Sequence, residues 1–203
     1  MQRFSLIASL LTVVSVGVFA ASHSAIGRSV SDNLAETQIG QVKAEVKSNH
    51  SVDDELKSLA LTNSDTGETF TLADFEGKTV VVKSMATWCG KCKSNLKSIQ
   101  AAQTQLNDPD LVVVALSVEA NLPDEDLAQY AEDEGFDFVF AVATPDMTRA
   151  LASEFGQTAL NPSIGSHFII DANGHVSDLT TGTIDSQELV TRLQAANQQA
   201  DAS

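Results

Sequence analysis

The chain has 203 residues, 27 acidic against 12 basic, and a formal net charge of −15. That excess of negative charge favours solubility and excludes nucleic acid and anionic membrane surfaces as partners. Its two cysteines are too few for a disulfide-stapled scaffold or a four-ligand structural zinc site.

Residues 1–22 have the layout of a secretory signal peptide. Arg3 supplies a basic start, residues 6–18 an apolar core, and Val18-Phe19-Ala20 the small residues of a cleavage site. A retained membrane anchor is the alternative, but the stretch is near the lower length limit. It is also diluted by Ser5, Ser9, Thr12 and Ser15. No cysteine follows the apolar core, so no lipoprotein anchor is expected. Cleavage leaves roughly 180 residues, enough for one domain with a real core and no stable membrane insertion. Residues 23–56 read as a polar, variable arm, in which Ile39, Val42 and Val46 hint at one amphipathic helix. The folded domain is expected over 57–197, with 198–203 a frayed tail.

Within that domain, segments 59–62 and 68–71 flank the turn-rich Asn63-Ser64-Asp65-Thr66-Gly67 and predict a short hairpin. Residues 79–85 have the continuous apolar character of a buried central strand. A helix is expected over 89–106, stopped by Asn107-Asp108-Pro109, then a second buried strand over 111–118. Residues 123–134 predict a helix with Pro123 in its first turn and Asp124, Glu125 and Asp126 favourable against its dipole. A strand over 138–142 and a helix over 146–155, stopped by Gly156, follow. Strands 167–171 and 175–180 make a hairpin around Asn173-Gly174, and a helix over 184–196 closes the domain. Strands alternating with helices imply a three-layer α/β fold, a central mixed sheet of about five strands with helices on both faces.

Both cysteines fall in Trp88-Cys89-Gly90-Lys91-Cys92, at the end of a buried strand and the start of a helix. Two thiols at this spacing suit reversible disulfide chemistry. A structural bridge closing so short a loop would constrain the unfolded chain little, and metal handling remains a further reading. A helix start offers unsatisfied N–H groups and a positive dipole end to a Cys89 thiolate. Lys91, Lys93 and Lys97 add basic charge, although Lys93 also fits an ordinary solvated helix face.

These residues, with Leu72-Ala73-Asp74-Phe75-Glu76-Gly77-Lys78 before the strand and Phe168-Ile169-Ile170-Asp171-Ala172-Asn173-Gly174 near the end, resemble the thioredoxin-like periplasmic thiol–disulfide oxidoreductases of the TlpA/ResA type. The resemblance covers residues 57–196. It implies a thioredoxin-like fold, Cys89 as the exposed attacking cysteine, and Cys92 as the resolving one. It also implies protein thiols or disulfides as partners, a membrane electron donor, periplasmic location, and no cofactor beyond the redox disulfide. A monomer is expected. Four positions depart from the family pattern. The cis-proline facing the dithiol is replaced by Gly165, with Pro162 three residues too early, so a trans Ile164–Gly165 bond is expected. The helix proline becomes Lys97, the active-site glutamate Asn95, and the buried acid or amide beneath the dithiol Lys83.

Several roles remain open at this level. Trp88 either covers one side of the site or is structural. Lys83 is either a buried proton acceptor for the resolving thiol, or a lysine whose stem packs while its amine reaches solvent or a carboxylate. His167 could join Cys89 and Cys92 as a ligand for Cu(I), shuttle a proton, or simply sit in its strand. Ile164, Gly165 and Ser166 are the expected substrate-binding backbone, with Gly165 opening space above Cys89 and leaving a flexible loop. The acidic run Glu132-Asp133-Glu134 reads as a solvated helix end. Three functions stay in view: an exported oxidoreductase, favoured as a reductase; a copper-binding or copper-delivery module; and a non-catalytic adaptor.

Overall fold

The computed structural model describes residues 50–201, which fall within one compact unit. The signal segment and the suggested helix around Ile39, Val42 and Val46 lie outside the described residues. In chain order the elements are α1 (His50–Ser58), β1 (Leu61–Thr62), β2 (Thr69–Phe70), β3 (Thr79–Met85), α2 (Gly90–Leu106) and β4 (Leu111–Ser117). They continue with α3 (Asp124–Glu134), β5 (Val139–Val142), α4 (Pro145–Phe155), β6 (His167–Ile170) and α5 (Ser186–Asp201). Short 3-10 turns cover Leu72–Phe75, Gln157–Leu160 and Pro162–Ile164.

The main sheet has the order β5-β4-β3-β6, with β3, β4 and β5 parallel and β6 antiparallel to β3. It is mixed, as expected. Alternation along the strands splits the core in two. Val81, Met85, Val113 and Ala115 join residues of α2, α3 and α5 on one face. Val80, Val82, Val114 and Leu116 join residues of α1 and α4 on the other. All seven residues of β3 are buried, which follows from a central strand covered by helices on both sides.

Local chemistry sets the helix ends. Asn107 closes α2 in the left-handed region at φ 47°, a conformation an asparagine tolerates. The Thr144 side chain accepts the Met147 N–H and Pro145 fills the first turn, so α4 starts one residue before its expected position. Pro123 is the N-cap of α3 rather than a member of its first turn. Among the described residues no helix is long and apolar enough to cross a membrane.

Three expectations on extent are revised. The main sheet has four strands, because 175–180 meets β6 only at the isolated bridges Ile170↔Val176 and His167↔Thr180. The returning segment carries one more residue between those bridges than β6 does, and the Ser177 hydroxyl takes the Ile169 N–H at 2.9 Å, interrupting the ladder. Helix α1 lies largely within the segment read as an arm, and its Leu56 is fully buried among residues of the α4 face. Helix α5 continues to Asp201, past the expected start of the tail.

Leu56→Ala is therefore expected to destabilise the protein by about 2–5 kcal/mol, read as a lower midpoint in urea unfolding. An unchanged midpoint would return α1 to the status of a dispensable arm.

Candidate active site

Strand β3 delivers the chain to the site. Beyond Met85, Ala86 is buried, Thr87 and Trp88 form a turn, and Cys89 becomes the N-cap of α2. The Cys89 sulfur accepts the Cys92 N–H at 3.2 Å, so one of the orphan donors of the first helical turn is satisfied by that sulfur. Cys89 and Cys92 are joined as a disulfide with Cα atoms 5.2 Å apart. Cys92 is fully buried and Cys89 is only 4% exposed. The exposed Cys89 implied by the resemblance is thus corrected: the residue is recessed, beside the exposed Gly90 and Lys91 and the 68%-exposed Trp88. Trp88 presents an apolar surface to solvent next to the disulfide, as a contact for incoming peptide would require.

The lysines divide. Lys93 pairs with Glu134 on α3, and Lys97 lies 3.8 Å from the same carboxylate. Glu134, read as part of a solvated helix end, thus reaches two of the three basic residues on α2 and offsets one of their charges. Lys91 is exposed between the two cysteines and has no ion pair among the described residues. Lys83 is fully buried, and its Nζ donates to the Ser84 carbonyl. It shares with Val81 and Met85 the sheet face that α2 covers. Desolvation, helped by repulsion from Lys91, pulls its pKa down from 10.5 to about 7. The packed-stem reading with an amine in solvent is therefore set aside.

The loop opposite the dithiol differs from expectation. Every described peptide bond is trans, Ile164–Gly165 included. Gly165 does not open space above Cys89. It holds φ at +82°, and a Cβ there would lie 2.0 Å from the Gly182 carbonyl oxygen and 2.8 Å from Asn95 Nδ2. Only glycine fits such a crossing. The Ile164 carbonyl accepts the Gly182 N–H at 2.8 Å, the Gly165 N–H goes to the Pro162 carbonyl at 3.2 Å, and the Ser166 carbonyl accepts from Ser84 N at 3.2 Å. Gly165 and Ser166 are buried. This backbone is spent on the fold, so of the three expected substrate-binding residues only the half-buried Ile164 offers a side chain to a partner. The group that meets the dithiol is the Pro162 carbonyl oxygen, 3.1 Å from Cys92 Sγ.

His167 pairs across the ladder with Lys83, is buried, and turns Nδ1 toward the Gly165 carbonyl at 3.3 Å. Burial is the largest influence on its pKa, which is lowered; Lys83 and Arg192 lower it further, against the Gly165 hydrogen bond and Glu188. Among the described residues no group of three or more His, Cys, Asp or Glu side chains gathers to hold a metal ion. The copper set of Cys89, Cys92 and His167 is therefore not assembled in this disulfide state.

A model of the Redoxin family matches residues 51–196. The chain belongs to the Redoxin family. Thioredoxin-like protein YneN of Bacillus subtilis is 23% identical over 127 residues, which cover 63% of this chain and 70% of that protein. A thioredoxin-family thiol:disulfide interchange protein from Chlorobium tepidum shares the fold with TM-score 0.58 and 24% identity, over 68% of this chain and 92% of its own. A secreted Mycobacterium tuberculosis disulfide oxidoreductase homologous to E. coli DsbE gives TM-score 0.55 and 16% identity, over 70% and 98%. The fold is thioredoxin-like. With its Cys89–Cys92 pair, this redoxin is a thiol–disulfide oxidoreductase.

Sequence reasoning missed Glu119 altogether. It stands two residues beyond β4, whose end pairs with the end of β3. Its carboxylate accepts the Thr87 N–H at 2.7 Å, the Thr87 hydroxyl at 3.2 Å and the Ser117 hydroxyl at 3.2 Å. The redoxin turn before Cys89 is thus pinned by an acid from the neighbouring strand. An acid just after a buried parallel strand was the available signal, because such strand ends converge on one edge of the sheet.

Two outcomes follow. Glu119→Ala should cost about 1–3 kcal/mol of stability and slow disulfide exchange, whereas Lys93→Ala, at a half-exposed ion pair, should cost less than about 1 kcal/mol; denaturation midpoints and exchange rates compare them. For Lys83, both states carry the proton below about pH 7, so the burial cost is then complete. Between about pH 7 and 10.5 the unfolded chain binds a proton that the folded one does not, so stability rises with pH. Lys83→Met should remove that rise and stabilise the protein at pH 7 by more than about 2 kcal/mol. Parallel stability–pH curves for the two proteins would refute the buried, neutralised lysine.

Proposed function

We propose that this redoxin is an exported reductase of protein disulfides, working through Cys89 and resolved by Cys92. The observation that carries the reading is the sulfur of Cys89 capping α2 while Cys92 lies fully buried one turn on. In the reduced enzyme the Cys89 thiolate, favoured by the helix start and by Lys91, attacks one sulfur of a partner disulfide. The other partner sulfur leaves as a thiolate and takes a proton from water. Cys92 then gives its proton to Lys83, whose amine is held near neutrality by burial. The Cys92 sulfur attacks Cys89 and expels the second partner thiolate, which also takes a proton from water, and Lys83 returns its proton to the solvent. The partner gains two electrons and two protons, and the Cys89–Cys92 disulfide forms. A dithiol donor in the membrane returns the electrons.

The signal-like residues 1–22 support export to a periplasm, where such a pair has oxidised partners to meet. The reductase direction is supported by the balance of charge. With Lys93 and Lys97 engaged by Glu134, fewer free cations face the reduced form than the sequence suggests, which weakens the push toward an oxidising potential.

The test is an exchange assay on a model protein disulfide together with the reduction potential of the pair. Wild type is expected to reduce insulin, Cys89→Ser to be inactive, and Cys92→Ser to accumulate the mixed disulfide. The potential is expected nearer the about −270 mV of reducing thioredoxins than the about −120 mV of strong oxidants. Turnover without Cys89 would end the mechanism, and a potential at the oxidising end would reverse its direction.

A further inference from the structure

The family's active-site glutamate position holds Asn95, fully buried on α2 one turn beyond Cys92. Its Nδ2 donates to the Gly182 carbonyl at 2.9 Å, and its Oδ1 accepts the Ile184 N–H at 3.1 Å. Both bonds reach the segment that leads into α5. Gly182 in turn gives its N–H to the Ile164 carbonyl at 2.8 Å, and its carbonyl lies against the α-carbon of Gly165 so closely that no side chain fits. Gly165 donates its own N–H to the Pro162 carbonyl at 3.2 Å. That same oxygen sits 3.1 Å from Cys92 Sγ. A continuous series of contacts therefore runs from the buried asparagine out to the 182–184 segment, across to the 162–165 turn, and back to the buried resolving sulfur.

We propose that Asn95 is a positioning residue for the resolving cysteine: through Gly182 and the 162–165 turn it holds the Pro162 carbonyl oxygen on Cys92 Sγ and so keeps Cys92 a thiol in the reduced enzyme. The proposal rests on the reading of Cys89 as attacker and Cys92 as resolver. Once the disulfide is reduced, Cys92 carries a proton and can donate it to the Pro162 oxygen. A Cys92 thiolate would instead place its lone pairs against those of the carbonyl at a fully buried sulfur, where an unpaired charge is costly. The two sulfurs are thereby made unequal, with Cys89 facing a helix N–H donor and Cys92 facing an acceptor. The negative charge stays on the attacking sulfur, and Cys92 loses its proton only as it attacks Cys89. An asparagine suits the post because it both donates and accepts; an ionised glutamate could not donate to Gly182.

The titratable groups on the elements packed around the site are Lys83 from β3, which Lys91 on α2 acts on, and His167 from β6, which Lys83 and the Glu188 and Arg192 of α5 act on. The turn Pro162–Ile164 contributes no titratable side chain. None of these groups changes in the variants below, and neither variant adds a charge.

The experiment titrates the Cys92 thiol in Cys89→Ser backgrounds, by the pH dependence of alkylation under native conditions. Asn95→Ala cuts the linkage at its origin, and Gly165→Ala pushes the turn off Gly182 from the other side. Each is expected to lower the Cys92 titration midpoint by about one pH unit, a tenfold change in ionisation. With both cysteines present, each is also expected to make the reduction potential more negative, because the reduced form loses a thiol–carbonyl bond. Leu56→Ala, which weakens the fold far from the site, serves as the stability control and should leave the midpoint unmoved. Because either site variant could fail to fold, the reduced wild-type chain supplies a second measurement: the Pro162 carbonyl carbon resonance should shift as Cys92 titrates. Midpoints equal to the parent in folded variants, or a Pro162 carbonyl blind to Cys92, would overturn the proposal. If instead mass spectrometry found the mixed disulfide on Cys92 rather than Cys89, the underlying assignment of attacker and resolver would fall, a result distinct from an unmoved midpoint.

Discussion

The site hangs from a strand that gives up nothing to solvent. Each of the seven residues of β3 is buried, so its register against β4 and β6 is held from both faces and its end point is reproducible in space. A slip by one residue would send Lys83 to the opposite core and expel Val81 and Met85 from theirs. Because the strand cannot slip, the turn after it must place Cys89 where α2 begins, and the sulfur meets the helix donors. The Glu119 carboxylate then removes the freedom remaining in that turn. The reactive group is positioned by hydrophobic burial first and by hydrogen bonds second.

Charge at the site is arranged by subtraction. A chain of net charge −15 places three lysines on the helix that follows the disulfide, which read along the sequence is a basic cluster. In three dimensions Glu134 reaches two of them, and the third, Lys91, is exposed with no ion pair among the described residues. Within the sheet, on the face that α2 covers, Lys83 adds bulk and a base rather than a fixed positive charge, since desolvation favours its neutral form. The disulfide thus meets a backbone carbonyl, with a titrating lysine on β3 where a buried acid would give a different electrostatic frame.

The loop opposite the disulfide shows how a substitution changes meaning in context. Read alone, Gly165 is a lost proline and a freed space. In the structure it is the close crossing of two chain segments, and the space is filled by the Gly182 carbonyl and the Asn95 amide. The change at Asn95, noted in the sequence as an independent departure, belongs to the same crossing. Two departures that look like losses compose one packed feature that delivers Pro162 to Cys92.

What the sequence determined by itself was local or periodic. The two-residue spacing places both cysteines on one helical turn, the run 79–85 has the apolar continuity of a covered strand, and Asn173-Gly174 makes a turn with few conformational choices. These depend on neighbours within a few residues, as does the placement of Lys83 on the face of Val81 and Met85, which follows from alternation; its burial was decided by the tertiary structure. Tertiary structure alone decided that Thr87 would meet Glu119, that Cys92 would meet Pro162, and that Asn95 would meet Gly182, pairs 32, 70 and 87 residues apart. It also decided that Cys89 would be recessed and that His167 would turn to its own loop. A buried polar group must find a partner. Which partner it finds depends on where distant backbone comes to rest once the apolar faces are covered, and residue type and spacing carry no record of that.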